Sequence, residues 1–292
     1  MSATIGVVTG GPLGRSLAAR LTEDGRVVIA GNDRAAFGEM GARARLILFD
    51  VHPTEVHTVA RTLGEALDGN HLVAHLVRGL IGDGAGAAQV LREESAVRRI
   101  GVLAGPLSVA ALDEGRPSAA VIASRHPEVV DEFAAALSTP RLRVYRSQDP
   151  LGVELASGLV DLITAACGLA HALGYGDTTR SIILVRSVRE LSRLIQALGG
   201  DPATASGLAG LGDILVHAMN PTDPAFQLGA DFANAPPEAR AALVQTAHTL
   251  HTLARQHRVT AHIFEGLVEL LDGKQTPRDL VAQLMALPVL DD

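Results

Sequence analysis

The chain has no tryptophan, one cysteine, two tyrosines and six phenylalanines among 292 residues. A single thiol, Cys167, cannot close an internal disulfide or build a thiolate metal cage. That usage suits a reducing compartment, and a cytoplasmic placement is the expectation. Lysine is nearly missing too: Lys274 is the only one, and every other basic side chain except histidine is arginine. Arginine stays protonated at any working pH and is a poor proton shuttle, whereas lysine can be tuned for acid–base work. The apolar runs are interrupted short of the ~18–20 residues of a membrane span. Residues 1–9 lack the basic start and apolar stretch of a signal peptide. The expectation is no membrane segment. Net charge is -7, which argues against a dedicated nucleic-acid surface.

What is present is a core. Hydrophobic residues make up 47% of the chain and charged residues 20%, a balance that excludes a disordered chain. The length fits one large domain or two ordinary ones. Short β-branched or apolar runs at residues 4–8, 26–30, 46–51, 72–77, 99–104, 119–123 and 142–145 read as buried strands. Helical patterns at 15–22, 55–66 and 86–94 alternate with them. Such alternation predicts a Rossmann-like, doubly wound, mostly parallel sheet with helices on both faces. From residue 152 onward no convincing strand appears. Segments 152–173, 179–197, 203–218, 237–257 and 261–271 read as helices, punctuated by Gly-Tyr-Gly-Asp, Gly-Gly-Asp-Pro and Asn-Pro-Thr-Asp-Pro. The expected organisation is therefore an α/β domain over residues 1–147 and an all-α domain over 148–292, with a small-molecule ligand in the cleft between them.

The first strand runs into Gly10-Gly11-Pro12-Leu13-Gly14 and then a helix. A dinucleotide needs glycine where the chain turns, approaches the pyrophosphate and packs helix on strand. Gly11 and Gly14 hold the last two of those positions, Thr9 stands at the first, and Gly10 follows it. After the second strand, Asp33 is a candidate for a ribose hydroxyl and Arg34 for a 2′-phosphate. The cofactor expectation is NAD or NADP, with affinity weak or lost.

Several strings together resemble the bacterial-type NAD(P)-dependent glycerol-3-phosphate dehydrogenase family. They are Gly105-Pro106, Ser147-Gln148-Asp149-Pro150-Leu151-Gly152-Val153-Glu154-Leu155 and Gly207-Leu208-Ala209-Gly210-Leu211-Gly212-Asp213. Leu76-Val77-Arg78-Gly79, Ala123-Ser124, Gly174-Tyr175-Gly176-Asp177-Thr178-Thr179 and Asp272-Gly273-Lys274 agree in order and spacing. The resemblance implies the two-domain fold, a nicotinamide cofactor and a homodimer. It also exposes departures. Where the family carries a catalytic Lys-Asn pair, this chain has Val160 and Asp161, and where it has a substrate-binding Lys-Gly, this chain has Arg78-Gly79. Leu107 replaces a small hydroxyl residue, His217 a threonine, Leu13 a tryptophan and Ala242 a glutamate, and the phosphate-binding Arg-Asn falls on Pro224-Ala225. Asp213 is retained, and Arg186 falls on a family arginine.

Val160 can neither give nor take a proton, and Pro224-Ala225 offers no guanidinium to a phosphate. The remaining polar candidates for catalysis are Asp213, His217 and Asp161. Asp213 and His217 are four apart, neighbours on one helix face. Arg78, Gly105 and Arg186 are the candidates for substrate contact. His71 with His75, and His248 with His251, have helical spacing but no third ligand, so no metal site is expected. Two readings stay open: an oxidoreductase of this family with altered substrate or base, and a non-catalytic homologue that binds a nucleotide or a partner.

Overall fold

The structure, a computed structural model, describes residues 4–81 and 86–286. The outermost residues of both expected domains, 1–3 and 287–292, lie outside that range. The first half alternates β1 (Ile5–Thr9), α1 (Pro12–Glu23), β2 (Val28–Gly31), α2 (Arg34–Arg43), β3 (Leu46–Asp50), α3 (Val56–Gly64), β4 (Leu72–His75), α4 (Ala87–Glu94) and β5 (Ile100–Ala104). It continues with α5 (Val109–Asp113), β6 (Ser118–Ala123), α6 (Pro127–Leu137) and β7 (Leu142–Ser147). The strands form one sheet in the order β2-β1-β3-β4-β5-β6-β7. All neighbours run parallel except β5 and β6, which are antiparallel, so β6 and β7 form a reversed pair at one edge.

Alternation along the strands feeds two cores. Ile5, Val7, Leu46 and Leu48 face Leu17, Leu21 and Phe133 from α1 and α6. Val8, Ile47 and Phe49 face Phe37, Met40, Val56 and Leu63 from α2 and α3. Helices on both faces make a doubly wound sheet, as the alternating pattern predicts. The sequence pattern did not reveal α2: its stretch RAAFGEMGAR is only weakly amphipathic, yet Phe37 and Met40 are buried where α2 packs on β1 and β2.

From α7 (Pro150–Ala172) onward the described residues contain helices and turns only: α8 (Asp177–Ala197), α9 (Asp213–Ala218), α10 (Pro224–Ala230), α11 (Pro237–Gln256), α12 (His262–Leu271) and α13 (Pro277–Ala286). By length and composition α7 is apolar enough to cross a membrane, although Glu154 and Asp161 interrupt it. In this fold it is mostly buried, and Leu159, Val160 and Ile163 sit in the helical core with Leu191, Leu194 and Phe264. Residues 203–218 do not form one helix. Gly207, Gly210 and Gly212 break the segment into a short turn over Pro202–Ser206 and a wide turn closed by the Gly212 N–H donating to the Gly207 carbonyl at 3.0 Å. Only then does α9 begin, with Asp213 as its first residue.

The two halves meet along α7. Val153 and Ala209 pack on Val102, Ala104, Val121 and Ala123 of the sheet. Glu154 reaches from α7 to accept the Ala88 N–H in the first turn of α4 at 3.2 Å, and stands 3.0 Å from the fully buried His75 at the end of β4. Burial opposes its ionisation, but His75 and the Ala88 N–H outweigh that and lower its pKa.

Within the helical half, Glu190 on α8 is 3% exposed and accepts the Ile263 and Phe264 N–H groups at 2.8 and 3.2 Å, capping α12. Burial pushes its carboxyl up to about 7, with the two N–H bonds pulling the other way. A folded pKa raised above the unfolded one gives stability that is full below the unfolded value and is lost as pH rises through the folded value. Melting temperature should therefore fall from about pH 4.5 to 7 more steeply in the wild type than in Glu190→Gln, which keeps an acceptor without the charge. Glu190→Ala should cost about 1–3 kcal/mol at neutral pH, the penalty for two buried donors left unpaired; chemical denaturation across pH measures both effects.

Candidate functional site

The centre of the junction is a cluster of charges. Arg78 follows β4 and precedes Gly79, whose φ of +94° turns the chain back beneath α7. Its Nη2 donates to Asp213 Oδ1 at 2.9 Å and lies 3.5 Å from the Leu107 carbonyl. That carbonyl is presented by the Gly105-Pro106-Leu107 turn, in which Gly105 takes a φ of +112°. Its Nη1 lies 3.7 Å from Asp161 on α7. Burial works against the charge on Arg78, but Asp213 and Asp161 outweigh it and raise its pKa further.

Asp213 is completely buried, placed by the wide turn that ends at Gly212. His217, one turn along α9, stands 3.3 Å from Asp213 through Nε2 and 2.7 Å from Asp223 through Nδ1. Asp223 accepts the Ala225 and Phe226 N–H groups at 2.9 and 3.4 Å, as the cap of α10. Burial disfavours the imidazolium, yet the two carboxylates prevail and push its pKa up to about 9. At neutral pH His217 is a cation held between two anions. The structure thus gathers Asp161, Asp213, His217 and Arg78 in one place. It adds Asp223, which sequence reasoning passed over although an Asp before a Pro is a strong helix-cap signal.

Val160, on α7 next to Asp161, is buried among apolar side chains. Pro224 and Ala225 are the first residues of α10, and the Ala225 N–H is spent on Asp223. Lys274 follows α12 and pairs with Asp272 at 2.7 Å on the surface. Arg186 is half-buried on α8. Ala242 is exposed on α11. Cys167 is buried in α7, and desolvation pushes its thiol up to about 12, so it stays protonated.

The glycine turn lies at the other end of the site. Asp33 caps α2, accepting the Ala36 N–H at 2.9 Å, and Arg34 pairs on the surface with Glu65 at 2.6 Å. Each has a partner other than a ribose or a phosphate. Leu13 packs against the sheet core. A Cβ on Gly10 would come within 2.9 Å of Val51. A residue that the sequence did not single out dominates here: Asp50, the last of β3, is 5% exposed and accepts the Gly14 N–H on Oδ2 at 2.6 Å. Burial pushes its carboxyl up to about 6, while the Gly14 and Leu13 N–H groups and the charges of Arg15 and Arg78 draw it down. A Cβ on Gly11 would lie 2.2 Å from Asp50 Oδ2. The one signal in the sequence is an acid ending a strand that is otherwise wholly apolar.

Cavities of about 270 and 40 Å³ lie in the helical half, lined by residues such as Leu162, Leu169, Leu267 and Leu270. Neither is lined by the Arg78 cluster or by the glycine turn.

A family model described as the C-terminus of NAD-dependent glycerol-3-phosphate dehydrogenase matches residues 149–282. A glycerol-3-phosphate dehydrogenase (NAD(P)+) of Sinorhizobium fredii is 32% identical over 257 residues, which cover 86% of this chain and 77% of that protein. One from Rhizobium johnstonii is 28% identical over 324 residues and 99% of each chain. Among solved structures, glycerol-3-phosphate dehydrogenase from Coxiella burnetii superposes with a TM-score of 0.84 at 22% identity, over 98% of this chain and 99% of that one.

The cluster makes a stability prediction. Removing one partner of a buried pair leaves the other charge uncompensated, so Arg78→Ala should cost about 3–5 kcal/mol in urea unfolding. His217 adds a second expectation. Its raised pKa gives stability that is full below about 6.5 and is lost as pH rises through about 9. The wild-type melting temperature should decline over that window, and His217→Gln should flatten the decline.

Proposed function

The chain belongs to the glycerol-3-phosphate dehydrogenase family, and on that premise we propose that it is a non-catalytic member in which the substrate position has become an internal ionic cluster. One observation carries the reading: the charged groups there are paired with one another, although Asp213 Oδ2 and His217 Nε2 keep no hydrogen-bond partner. Arg78 is bound to Asp213, and both ring nitrogens of His217 are directed at carboxylates.

Interconverting a secondary alcohol and a ketone by hydride transfer needs a group to take or give the hydroxyl proton. Val160 supplies none. His217 carries a proton at neutral pH, but Nδ1 is hydrogen-bonded to Asp223 and Nε2, without a hydrogen bond, lies buried 3.3 Å from Asp213, where both carboxylates hold the proton on the ring. A phosphate also needs donors. At Pro224-Ala225 the proline has no N–H, and the alanine N–H is already bound to Asp223.

Purified protein should therefore show no oxidation of NADH or NADPH with dihydroxyacetone phosphate, and no reduction of either oxidised cofactor with glycerol 3-phosphate. A missing general acid–base group alone forfeits about 10²–10⁴ in rate. Loss of the phosphate contacts removes the binding that positions the ketone. Val160→Lys by itself should restore little, because the substrate remains unheld. Following nicotinamide absorbance decides the matter: robust wild-type turnover that survives Val160→Ala would overturn the reading and move attention to Asp161, Asp213 or His217.

A further inference from the structure

In a doubly wound sheet the ligand crevice opens where successive connections leave in opposite directions. Here that point lies between β1 and β3, because β2 adds to one side of β1 and β3 to the other. Thr9 and Asp50 face each other at the ends of these strands. The N-terminus of α1 rises beside them. An α-helix begins with four N–H groups that lack an intrahelical acceptor, and in dinucleotide folds they receive the pyrophosphate.

Three of the four positions have an internal account. The Gly11 N–H donates to the Asp50 main-chain carbonyl at 2.8 Å. Pro12 has no N–H. The Gly14 N–H donates to the Asp50 carboxylate at 2.6 Å. The Asp50 carboxylate thus sits where an external anion would be received. The glycines serve the same carboxylate, since a Cβ on Gly11 would meet Asp50 Oδ2 at 2.2 Å and one on Gly14 would meet Asp50 Cβ at 2.8 Å. Arg15 folds back over the turn to the Thr9 and Gly10 carbonyls at 3.0 and 3.2 Å. The residues present do not fit a dinucleotide.

We propose that Asp50 is a built-in anion that takes the place of the pyrophosphate, so that the nucleotide position of this fold is closed from within by the end of β3. A dinucleotide would have to strip the carboxylate of its N–H donors and then sit beside it, adding its own negative charges to a buried one. The closure concerns binding alone, and it stands or falls separately from the proposed loss of turnover.

The test is direct titration of NADH, NADPH and inorganic pyrophosphate into the full chain by calorimetry, with melting-temperature shifts as a second readout. Wild type should show no saturable binding at millimolar ligand. Asp50→Ala frees the Gly14 N–H and removes the charge, and it should bind at least one of the three probes saturably, with a Kd at least tenfold below the highest concentration at which wild type shows none. Asp50→Asn keeps an acceptor for Gly14 and nearly the same volume, so it folds in any case that Asp50→Ala does not. It removes the repulsion alone and should give a smaller gain. Micromolar binding by the wild type refutes the closure. So does a null result in both variants, since Asp50 would then not be what excludes the ligand.

Discussion

Asp213 sets the constraint that the rest of the site obeys. A carboxylate with no exposed surface is tolerable only with a cation and hydrogen bonds beside it, and its cation comes from the other half of the molecule. Arg78 reaches it because β4 ends at His75, the chain turns at Gly79 with positive φ, and α7 lies across that turn. The pair therefore fixes how the helical half sits on the sheet. His217 and Asp223 extend it, and the apolar junction of Val153 and Ala209 against Val102 and Val121 closes around it. Helix α10 holds Asp223 in place by close approach to α7: a Cβ on Gly168 would lie 2.0 Å from the Phe226 carbonyl, and one on Gly229 1.8 Å from that of Ala165.

Much of the fold was legible because each strand announces itself as a short apolar run, and a run followed by a helical pattern admits few arrangements. What escaped was whatever local pattern does not encode. The reversed direction of β6 depends on how α5 returns the chain, not on the residues of Ser118–Ala123, which read like any buried strand. Residues 203–218 carry helical apolar spacing, but three glycines let the backbone open into turns instead, and that opening aims Asp213.

The site divides along the same line. Asp213 and His217 could be paired from the sequence because four residues make one helical turn. Arg78 and Asp161 came from the resemblance, position by position. Asp50 could not be found by either route. Its partner Gly14 lies 36 residues away in the chain, and the two meet only because β3 adds beside β1. Gly11 and Gly14 are places of close approach, and the group that approaches them in the fold is the Asp50 side chain. A glycine pattern reports that room is needed, not what needs it.

The glycine turn and the charge cluster also act on one another. Arg78 is the cation of Asp213, and its field reaches Asp50 as well, drawing that carboxyl toward its ionised form. Anion and cation then alternate across the junction, from Asp50 at the end of β3, through Arg78 and Asp213, to His217 and Asp223 at the start of α10. Charges in such a series are not independent, because neutralising one changes the field on both neighbours. A scaffold whose helix N-terminus and buried guanidinium would otherwise be left without acceptors has two ways to stay folded: hold a charged ligand, or supply the countercharges from its own chain. In this protein the Gly14 N–H and the Arg78 guanidinium each have an internal carboxylate partner, and the Arg78–Asp213 pair also ties the helical half to the sheet.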